Sequence, residues 1–451
     1  MAHTYNIWTI GCQMNEADTR HLSSQLEAMG YNSQTEAESA DLVVLNTCVV
    51  RQQAEDKAIN RLHVLKRAKE ERPGMTIALM GCMVGMREAP ALKKKFPFVD
   101  VFMPPSETAP LIDYLSERGL YNADRSFDTR EKALREAIQD EEFALPSALR
   151  GQSVTANVPV VLGCSHACTF CIIPYRRGAE RSKRPEDVLR EVRTLADQGV
   201  REVMLLGQII DRYGMDFEDG TDLAGLLTRV AAIPELQRVR FLTSHPNWMT
   251  DRLIKTVADT EKICPQIEIP VQAGHDVVLE RMRRGYTVDD YRRVVDRIRT
   301  HIPDAAIHTD IIVGFCGETD EQFMGTYRLA EEMQWEKVHI AKYSVRPKTI
   351  ATRTMEDDVP ADEKERRRRM LDDLQTSILE KKNAAYLGRL EEVLVENKHK
   401  GKWRGRTRHN KLVFFEDTRD CTGQLVPVQI TSTAPYSMVG EVCVETPCLV
   451  C

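Results

Sequence analysis

The sequence lacks long apolar runs and any excess of basic charge. Its 451 residues carry a formal net charge of −6 and have a mean hydropathy of −0.38. A membrane helix needs about 20 consecutive apolar residues, and no run in the chain approaches that length. The N-terminus has no basic segment followed by an apolar one, so no secretory signal is predicted. We therefore expect a cytoplasmic protein without a membrane partner, and the net charge excludes a uniformly basic nucleic-acid binder.

The chain is also too long for a single hydrophobic core. Its strand and helix patterns predict an α/β multidomain protein: an N-terminal α/β domain with a parallel sheet, a central partial (β/α)6 barrel and a small C-terminal β-barrel. A helix is predicted near 130–139, within a charged linker. The predicted boundaries are 1–118 for the N-terminal domain, 119–150 for the linker, 151–383 for the central barrel, 384–447 for the C-terminal barrel and 448–451 for a tail.

Twelve cysteines are many for a cytoplasmic chain, where thiols stay reduced and clusters of them indicate metal ligands or catalytic groups. The tightest cluster is the run Cys164-Ser165-His166-Ala167-Cys168-Thr169-Phe170-Cys171, which follows the first predicted barrel strand. Three thiolates with this spacing can hold one four-iron cube and leave its fourth iron without a protein ligand. A structural zinc site is the alternative. Zinc takes four protein ligands, and His166 could be the fourth.

Three more cysteines each follow a predicted strand of the N-terminal domain. Cys12, Cys48 and Cys82 come after the apolar runs 5–9, 42–46 and 76–80. The carboxyl ends of parallel strands meet at one edge of a sheet, so we expect the three thiols to converge there. The alternative is that they are buried small hydrophobic residues, which is the more usual state of isolated cysteines.

The clustered run resembles the radical S-adenosylmethionine (SAM) superfamily. The runs Gly11-Cys12-Gln13-Met14-Asn15, Asn46-Thr47-Cys48 and Gly81-Cys82 resemble the methylthiotransferase family within it, and the resemblance extends from Tyr5 to about Val444. It implies SAM and two 4Fe–4S clusters as cofactors. The first cluster, on Cys164, Cys168 and Cys171, would cleave SAM to a radical. The second, auxiliary cluster, on Cys12, Cys48 and Cys82, would carry the sulfur, so all six cysteines are expected to be catalytic.

Further runs of the barrel match the same family. Leu205-Leu206-Gly207-Gln208 ends the second barrel strand, where members of the superfamily contact the SAM amino group, and Pro270-Val271-Gln272-Ala273-Gly274 also matches. The resemblance implies Gln208, Ser244 and Gln272 as SAM contacts. The chain departs from the family pattern at several positions of this pocket: Ile209 and Ile210 where asparagine often follows the Gly-Gln pair, Ala273 and His275 where serines are usual, Cys316 where proline is usual and Lys348 where glycine is usual.

Basic residues occupy alternate positions in the C-terminal domain. If this stretch is extended, their side chains point to one face and can bind phosphates, while an aromatic ring stacks on a base. The alternative is a solvated edge strand that lysines protect from pairing. The run 405–411 resembles the RNA-binding, TRAM-like barrel of the family, which favours RNA. The predicted RNA-binding residues are Lys398, Lys400, Lys402, Trp403, Arg404, Arg406 and Arg408.

The family contains three substrate classes: isopentenylated adenosine in tRNA, threonylcarbamoylated adenosine in tRNA, and an aspartate of a ribosomal protein. The run 46–57, with Arg51 and Ala54-Glu55, best resembles the first class. The implied reaction adds a methylthio group to C2 of N6-isopentenyladenosine at position 37, near the anticodon of tRNA.

The implied partners are this tRNA, a flavodoxin- or ferredoxin-like electron donor and a sulfur source, and we expect the chain to act as a monomer. An iron–sulfur electron carrier or sensor with an RNA-binding tail is the alternative from another class of protein. Such a protein needs no SAM pocket and would prefer fully ligated clusters, whereas each set here has three cysteines.

Overall fold

The computed structural model describes residues 3–50, 52–120 and 145–443. Arg51, the predicted linker helix at 130–139 and the tail pair Cys448 and Cys451 lie outside the described residues. The described residues form an N-terminal α/β domain, a central partial barrel and a C-terminal β-barrel, which confirms the predicted fold class. In the described ranges, no helix is both long enough and apolar enough to cross a membrane.

The N-terminal domain is built on a five-stranded parallel sheet. Its strands are β1 (Thr4–Thr9), β2 (Asn32–Ser33), β3 (Leu42–Thr47), β4 (Thr76–Gly81) and β5 (Val101–Met103), and its helices are α1 (Gln13–Ala28), α2 (Gln52–Glu71), α3 (Ala89–Lys95) and α4 (Ala109–Glu117). The strand order is β2-β1-β3-β4-β5. Every residue of β3 and β4 is buried, because helices and loops cover both faces of the sheet and each face has its own apolar cluster.

The central domain is an open barrel of parallel strands. Its strands are β6 (Thr155–Pro159), β7 (Val161–Leu162), β8 (Arg181–Ser182), β9 (Glu202–Leu206), β10 (Arg238–Leu242), β11 (Gln266–Glu268), β12 (Ala306–Val313) and β13 (Lys337–Lys342). The order β6-β9-β10 continues to β11-β12-β13 through a single bridge between Val239 and Ile263. The first strand, predicted as one run over 158–162, is divided: β6 joins the barrel, whereas β7 pairs with β8 in a separate antiparallel ribbon.

Helices cover the outer face of this barrel. They are α5 (Ile173–Arg177), α6 (Pro185–Asp197), α7 (Leu223–Ala231), α8 (Asp251–Asp259), α9 (Asp276–Arg281), α10 (Val288–His301), α11 (Asp320–Met333), α12 (Ile350–Thr354) and α13 (Ala361–Ala384). Thr287 and Asp290 form a capping box at the start of α10, and Thr319 and Gln322 form another at α11. These boxes satisfy amide groups that a helix leaves free at its start. The buried helix faces and the strands share one continuous core.

The C-terminal domain is a closed barrel of short strands. They are β14 (Leu390–His399), β15 (Lys402–Arg406), β16 (Leu412–Phe415), β17 (Leu425–Thr433) and β18 (Met438–Val442). The basic stretch 398–408 is therefore not one extended strand, as the sequence pattern suggested. Lys400 (φ 50°) and Gly401 (φ 86°) form a tight turn, and β14 pairs back on β15 as a hairpin.

The C-terminal barrel sits at the amino ends of the central strands. Arg238, at the start of β10, donates to the carbonyl oxygens of Arg406 (2.6 Å) and Glu392 (2.9 Å). Arg240 donates to the carbonyl oxygens of Arg408 (2.8 Å) and Thr407 (2.9 Å), and both guanidinium groups are almost fully buried. The loop that carries Cys164 lies at the opposite, carboxyl end of the barrel, so the C-terminal barrel and this loop are separated by the length of the strands.

Candidate active site

The loop after β7 brings Cys164, Cys168 and Cys171 together. Burial, with a smaller effect of the neighbouring charge of Cys168, raises the pKa of Cys164 to about 11 and that of Cys171 to about 12. The Cys164 amide donates to the Gly178 carbonyl (3.1 Å) and the Cys171 amide to the Cys168 carbonyl (3.2 Å), which folds the loop against α5. A metal cluster would displace the thiol protons, so cluster binding here would release protons.

Arg284 reaches the same loop from the segment after α9. Its Nη1 donates to Cys168 Sγ at 3.0 Å, and its Nε donates to the hydroxyl oxygen of Tyr286 at 3.0 Å. Burial lowers the pKa of Arg284, but Tyr286 and Cys168 raise it more, so its pKa lies above the ordinary value. The guanidinium thus places a positive charge and an N–H donor directly on a predicted ligand sulfur, which is how residues around a metal site orient and tune the ligands.

Polar side chains with unused hydrogen-bonding atoms surround this loop. Asp211 Oδ1, Ser244 Oγ, His166 Nε2 and His245 Nε2 are buried and have no partner among the described residues. Burial raises the pKa of Asp211 to about 8, although the His245 amide donates to its other oxygen (2.9 Å). The rings of His166, His245 and Trp248 lie 4.6 to 5.6 Å apart. Buried polar atoms are normally paired, so this pocket fits a polar ligand that can also stack.

The three predicted SAM contacts lie at the carboxyl ends of consecutive barrel strands. Gln208 follows β9, Ser244 follows β10 and Gln272 follows β11. Gln272 (φ 71°) and Thr243 (φ 69°) adopt the left-handed backbone conformation, which is rare for residues other than glycine. Such strain is concentrated at functional sites. The placement is compatible with a shared ligand, and the SAM contacts themselves remain predictions.

Cys12, Cys48 and Cys82 meet at the carboxyl edge of the N-terminal sheet. Burial raises the pKa of Cys82 to about 11, with Arg177 lowering it and the charges of Cys48 and Cys12 raising it by smaller amounts. The Val50 amide donates to Cys48 Sγ at 3.4 Å, and Cys12 Sγ donates to Asn15 Oδ1 at 3.4 Å. Cys48 and Cys82 are buried, whereas Cys12 is exposed. The role of the three thiols as cluster ligands remains a prediction.

The two sets of cysteines lie on either side of one domain boundary. Ile172, the neighbour of the last cysteine in the barrel loop, packs in the apolar cluster that contains Cys82. Met14 packs against Leu206 and Leu242, at the carboxyl ends of β9 and β10. The edge of the N-terminal sheet that carries its cysteines therefore faces the mouth of the barrel.

Two buried arginines of the central domain cross this boundary towards the N-terminal cysteines. Arg177 Nη2 donates to Asn15 Oδ1 at 3.4 Å and lies 3.7 Å from Asp18 Oδ2. Burial lowers the pKa of Arg177, but Cys82 and Asp18 raise it well above the usual value. Burial raises the pKa of Cys48, while Arg177 and Arg346 lower it, so both cations lie close to the thiols.

The geometry does not favour the zinc alternative. Within the described parts of the chain, no group of three or more His, Cys, Asp or Glu side chains converges on the position of a single metal ion. Tetrahedral zinc holds its four ligand atoms within about 2.0–2.3 Å of one point. A four-iron cube spreads its thiolates more widely, because each cysteine binds a different iron.

The predicted RNA-binding residues do not form one surface. Lys398 and Lys400 lie at the tip of the β14–β15 hairpin, and both are exposed. Lys402 and Arg404 alternate on β15 with buried residues and point outward. Lys402 pairs with Glu416 at 3.2 Å, and Arg404 lies 3.7 Å from Glu396. These four residues keep basic side chains at the surface.

Two members of the predicted set have a different role in the structure. Trp403 is 4% exposed and its Nε1 donates to the Asp417 carbonyl at 3.1 Å, so its ring belongs to the barrel core and the expectation that it stacks on a base is wrong. Arg408 donates to the Ile263 carbonyl at 3.2 Å and holds the two domains together. Arg406 is paired with Glu396 at 3.1 Å, beside the same interface.

Several residues of the site were not found by sequence reasoning. Arg284 and Tyr286 lie in the run 283–287, which resembles both tRNA classes of the family, and Arg177 lies in the run 171–178, which continues the cysteine loop. The signal for these residues was their place in runs that match the family. No local pattern pairs an arginine with a particular cysteine. The other unpredicted residues are Asp211, His245, Trp248 and Arg346.

Three family profiles match the chain. The radical SAM superfamily matches residues 158–330, the uncharacterized protein family UPF0004 matches residues 4–104, and the TRAM domain matches residues 384–443. The matches follow one another along the chain in the order of the three domains.

Similar proteins cover nearly the full length. The chain is 44% identical over 439 residues to a tRNA-2-methylthio-N(6)-dimethylallyladenosine synthase of Chloroflexus aurantiacus, covering 97% of this chain and 91% of the relative. A protein of the same name from Roseiflexus sp. is 45% identical over 441 residues, with 97% and 89% covered. Another, from Dehalococcoides mccartyi, is 44% identical over 437 residues, with 97% and 98% covered.

Solved structures share the fold at low sequence identity. The radical S-adenosylmethionine methyltransferase TsrM from Kitasatospora setae superposes with a TM-score of 0.54 at 12% identity, over 78% of this chain and 77% of that chain. This likeness concerns the arrangement of the backbone alone.

Proposed function

Since the chain belongs to the tRNA methylthiotransferase family of radical SAM enzymes, we propose that it adds a methylthio group to C2 of N6-isopentenyladenosine (dimethylallyladenosine) at position 37 of tRNA. The observation that carries this proposal is the meeting of two three-cysteine sets at one domain boundary. Adenine C2 has no acidic proton, so a general base cannot activate it. A radical generated beside a sulfur carrier can.

Two 4Fe–4S clusters and SAM are the cofactors. We assign Cys164, Cys168 and Cys171 to the SAM-binding cluster, and the N-terminal set of Cys12, Cys48 and Cys82 to the auxiliary cluster. When bound, these groups supply the reducing electron, the radical and the sulfur. Each set provides three thiolates for four irons, which leaves one iron of each cluster for a ligand from outside the chain.

The side chains around the first cysteine set have distinct tasks. Arg284 holds a positive charge against Cys168. Asp211, Ser244 and His245 offer unpaired polar atoms to the polar groups of SAM. Met14 packs on Leu206 and Leu242 at the ends of β9 and β10, on the N-terminal side of the domain boundary. Exclusion of water from the place where a radical forms would protect it from side reactions.

The alternatives are less well supported. The compared relatives bear the name of the isopentenyl-type synthase, not of an enzyme for threonylcarbamoyladenosine or for a ribosomal-protein aspartate. An electron carrier or sensor would not need the pocket of unpaired polar atoms beside the first cysteine set. As further parts of the proposal, a flavodoxin- or ferredoxin-like donor supplies electrons, a sulfur source reloads the protein, and the chain acts as a monomer in the cytoplasm.

The substrate proposal predicts a defined product. Anaerobically reconstituted protein, given SAM, a strong reductant, sulfide and tRNA that carries N6-isopentenyladenosine, should convert that nucleoside to its 2-methylthio derivative. The measurement is mass spectrometry of the digested tRNA. Matched reactions contain the same tRNA without the isopentenyl group, tRNA with threonylcarbamoyladenosine, or a ribosomal-protein peptide. A product in one of these reactions alone would assign the protein to another substrate class.

The basic hairpin predicts a salt-dependent contribution to tRNA binding. Replacing Lys402 and Arg404 together with alanine should weaken binding several-fold and lower the slope of log Kd against log salt by about two, because each lost phosphate contact removes about one. Arg293→Ala is the matched control, since Arg293 is an exposed arginine paired with an acid on α10. A slope equal to that of the unchanged protein would show that the hairpin does not contact phosphates.

A further inference from the structure

Arg346 is a buried cation against the start of α2, the helix that follows Cys48, and it has unused hydrogen-bond donors. Its charge lowers the pKa of the Cys48 thiol, which burial raises by more. Its side chain is 5% exposed, and its Nη1 donates to Gln52 Oε1 at 3.1 Å and lies 3.6 Å from Glu55 Oε2. Its Nε and Nη2 are buried and have no partner in the described parts of the chain. Buried N–H groups are almost always paired, so these two donors fit an acceptor from outside the described residues.

The loop that carries Arg346 holds it rigidly. The Arg346 carbonyl accepts from the hydroxyls of Thr349 (2.9 Å) and Thr352 (2.5 Å), and Thr349 caps α12. Lys348 adopts a left-handed backbone conformation (φ 77°) and its ammonium pairs with Glu88 of the N-terminal domain. These contacts fix the backbone of the loop, and the bond to Gln52 holds the Arg346 guanidinium against the start of α2.

Arg177 supplies a second cation near the same cysteines. Its side chain is 2% exposed, its Nη1 donates to Ser106 Oγ at 3.3 Å, and its Nε is unpaired among the described residues. Its acidic neighbour, Asp18, is 3.7 Å away. A four-iron cube held by three thiolates carries a net negative charge, and an anionic sulfur on its open iron adds to that charge. Buried charge of one sign needs compensation by the other, and the two arginines provide it.

We propose that Arg346 is a positioning residue that donates N–H bonds from Nε and Nη2 to anionic sulfur at the auxiliary cluster, with Arg177 offsetting charge near Cys82. The inference rests on the proposed assignment of Cys12, Cys48 and Cys82 as ligands of that cluster. The acceptor is either a sulfur of the cluster itself or a small thiolate bound to it. Positive charge and hydrogen bonds to sulfur stabilise the reduced cluster, so Arg346 should raise its reduction potential.

The test uses the full-length chain with Cys164, Cys168 and Cys171 all replaced by alanine, so that only the auxiliary cluster contributes to the spectra. Arg346→Gln removes the charge, and Arg346→Lys keeps it with different donors. Lys342→Gln is the matched control: it removes a positive charge four residues away that is 46% exposed and paired with Glu365.

In a redox titration followed by electron paramagnetic resonance (EPR), Arg346→Gln should lower the ratio of reduced to oxidised cluster about tenfold at the midpoint potential of the parent protein. For one electron this ratio corresponds to about 59 mV. Arg346→Lys should show a smaller change, and Lys342→Gln should match the parent. If Arg346→Gln does not take up the cluster, the Arg346→Lys protein is compared with the parent instead. A lower reduction potential then supports the proposal, and an equal potential contradicts it.

A second titration identifies the acceptor. Methanethiolate is added and the change in the EPR spectrum is followed with its concentration. Weaker thiolate binding by Arg346→Gln than by Lys342→Gln supports the proposal with the bound thiolate as acceptor. A changed potential with unchanged thiolate binding supports it with the sulfur of the cluster as acceptor.

Iron and sulfide analysis distinguishes a failure of the proposed function from a failure of the proposed role of Arg346. A parent protein without any cluster on the N-terminal cysteines would contradict the proposed function itself. A fully loaded Arg346→Gln protein with the potential and thiolate affinity of the parent would overturn the role of Arg346 alone.

Discussion

Replacing Cys168 with alanine is expected to abolish SAM cleavage. Cys168 is the middle cysteine of the loop, and its Sγ accepts the hydrogen bond from Arg284 at 3.0 Å. Its loss leaves two thiolates for the SAM-binding cluster and removes the acceptor that holds the buried guanidinium in place. A cube with two protein ligands is not held, so formation of 5′-deoxyadenosine should fall to the level of a reaction without protein. Anaerobic incubation with SAM and dithionite, followed by chromatography, measures this product.

The control for this change is Cys264→Ala. Cys264 is 1% exposed and belongs to the same barrel, but neither cysteine set includes it. Its replacement should lower stability modestly through a small cavity and leave SAM cleavage intact. A Cys168→Ala protein that still forms 5′-deoxyadenosine at the parental rate would contradict the assignment of the loop.

Replacing Cys48 with alanine is expected to abolish methylthiolation while SAM cleavage continues. Cys48 belongs to the N-terminal domain. Its contacts lie outside the polar pocket next to the barrel loop. The variant should bind about half of the parental iron, because one of two clusters loses a ligand. The measurement follows both products in one reaction: 5′-deoxyadenosine from SAM and the 2-methylthio nucleoside from tRNA.

This prediction separates the tasks of the two cysteine sets. Cys421→Ala is its control, because Cys421 is a buried cysteine of the C-terminal barrel. Full methylthiolation by the Cys48→Ala protein would exclude the N-terminal set as the sulfur carrier. Loss of both products together would indicate that the N-terminal domain is needed for SAM cleavage as well.

Local patterns predicted the elements that carry the cysteines. The apolar run 42–46 became β3 and the run 76–80 became β4, because a central parallel strand is buried on both faces and reads as a continuous apolar run. The position of Cys48 and Cys82 after these strands then follows from sheet geometry alone. The resemblance to known methylthiotransferases added the chemistry to this placement.

Local patterns did not predict the structure where one pattern is compatible with two different backbone arrangements. Alternating basic residues over 398–408 suit a single strand, and they equally suit a hairpin that turns at Lys400 and Gly401. The burial of Trp403 depends on closure of the C-terminal barrel around it. The hydrogen bond of Arg408 depends on how the central domain packs against that barrel. Neither property can be read from neighbouring residues.

The sequence by itself determined the domain order, the six cysteines and their division into two sets of three, because strand periodicity and ligand spacing are local properties. The tertiary structure alone decided which cations meet those sets. Arg284 lies 116 residues from Cys168, Arg177 lies 162 residues from Asn15, and Arg346 lies 294 residues from Gln52. Such contacts form only when separately folded domains pack together, and the packing of whole surfaces leaves no periodic trace in the sequence.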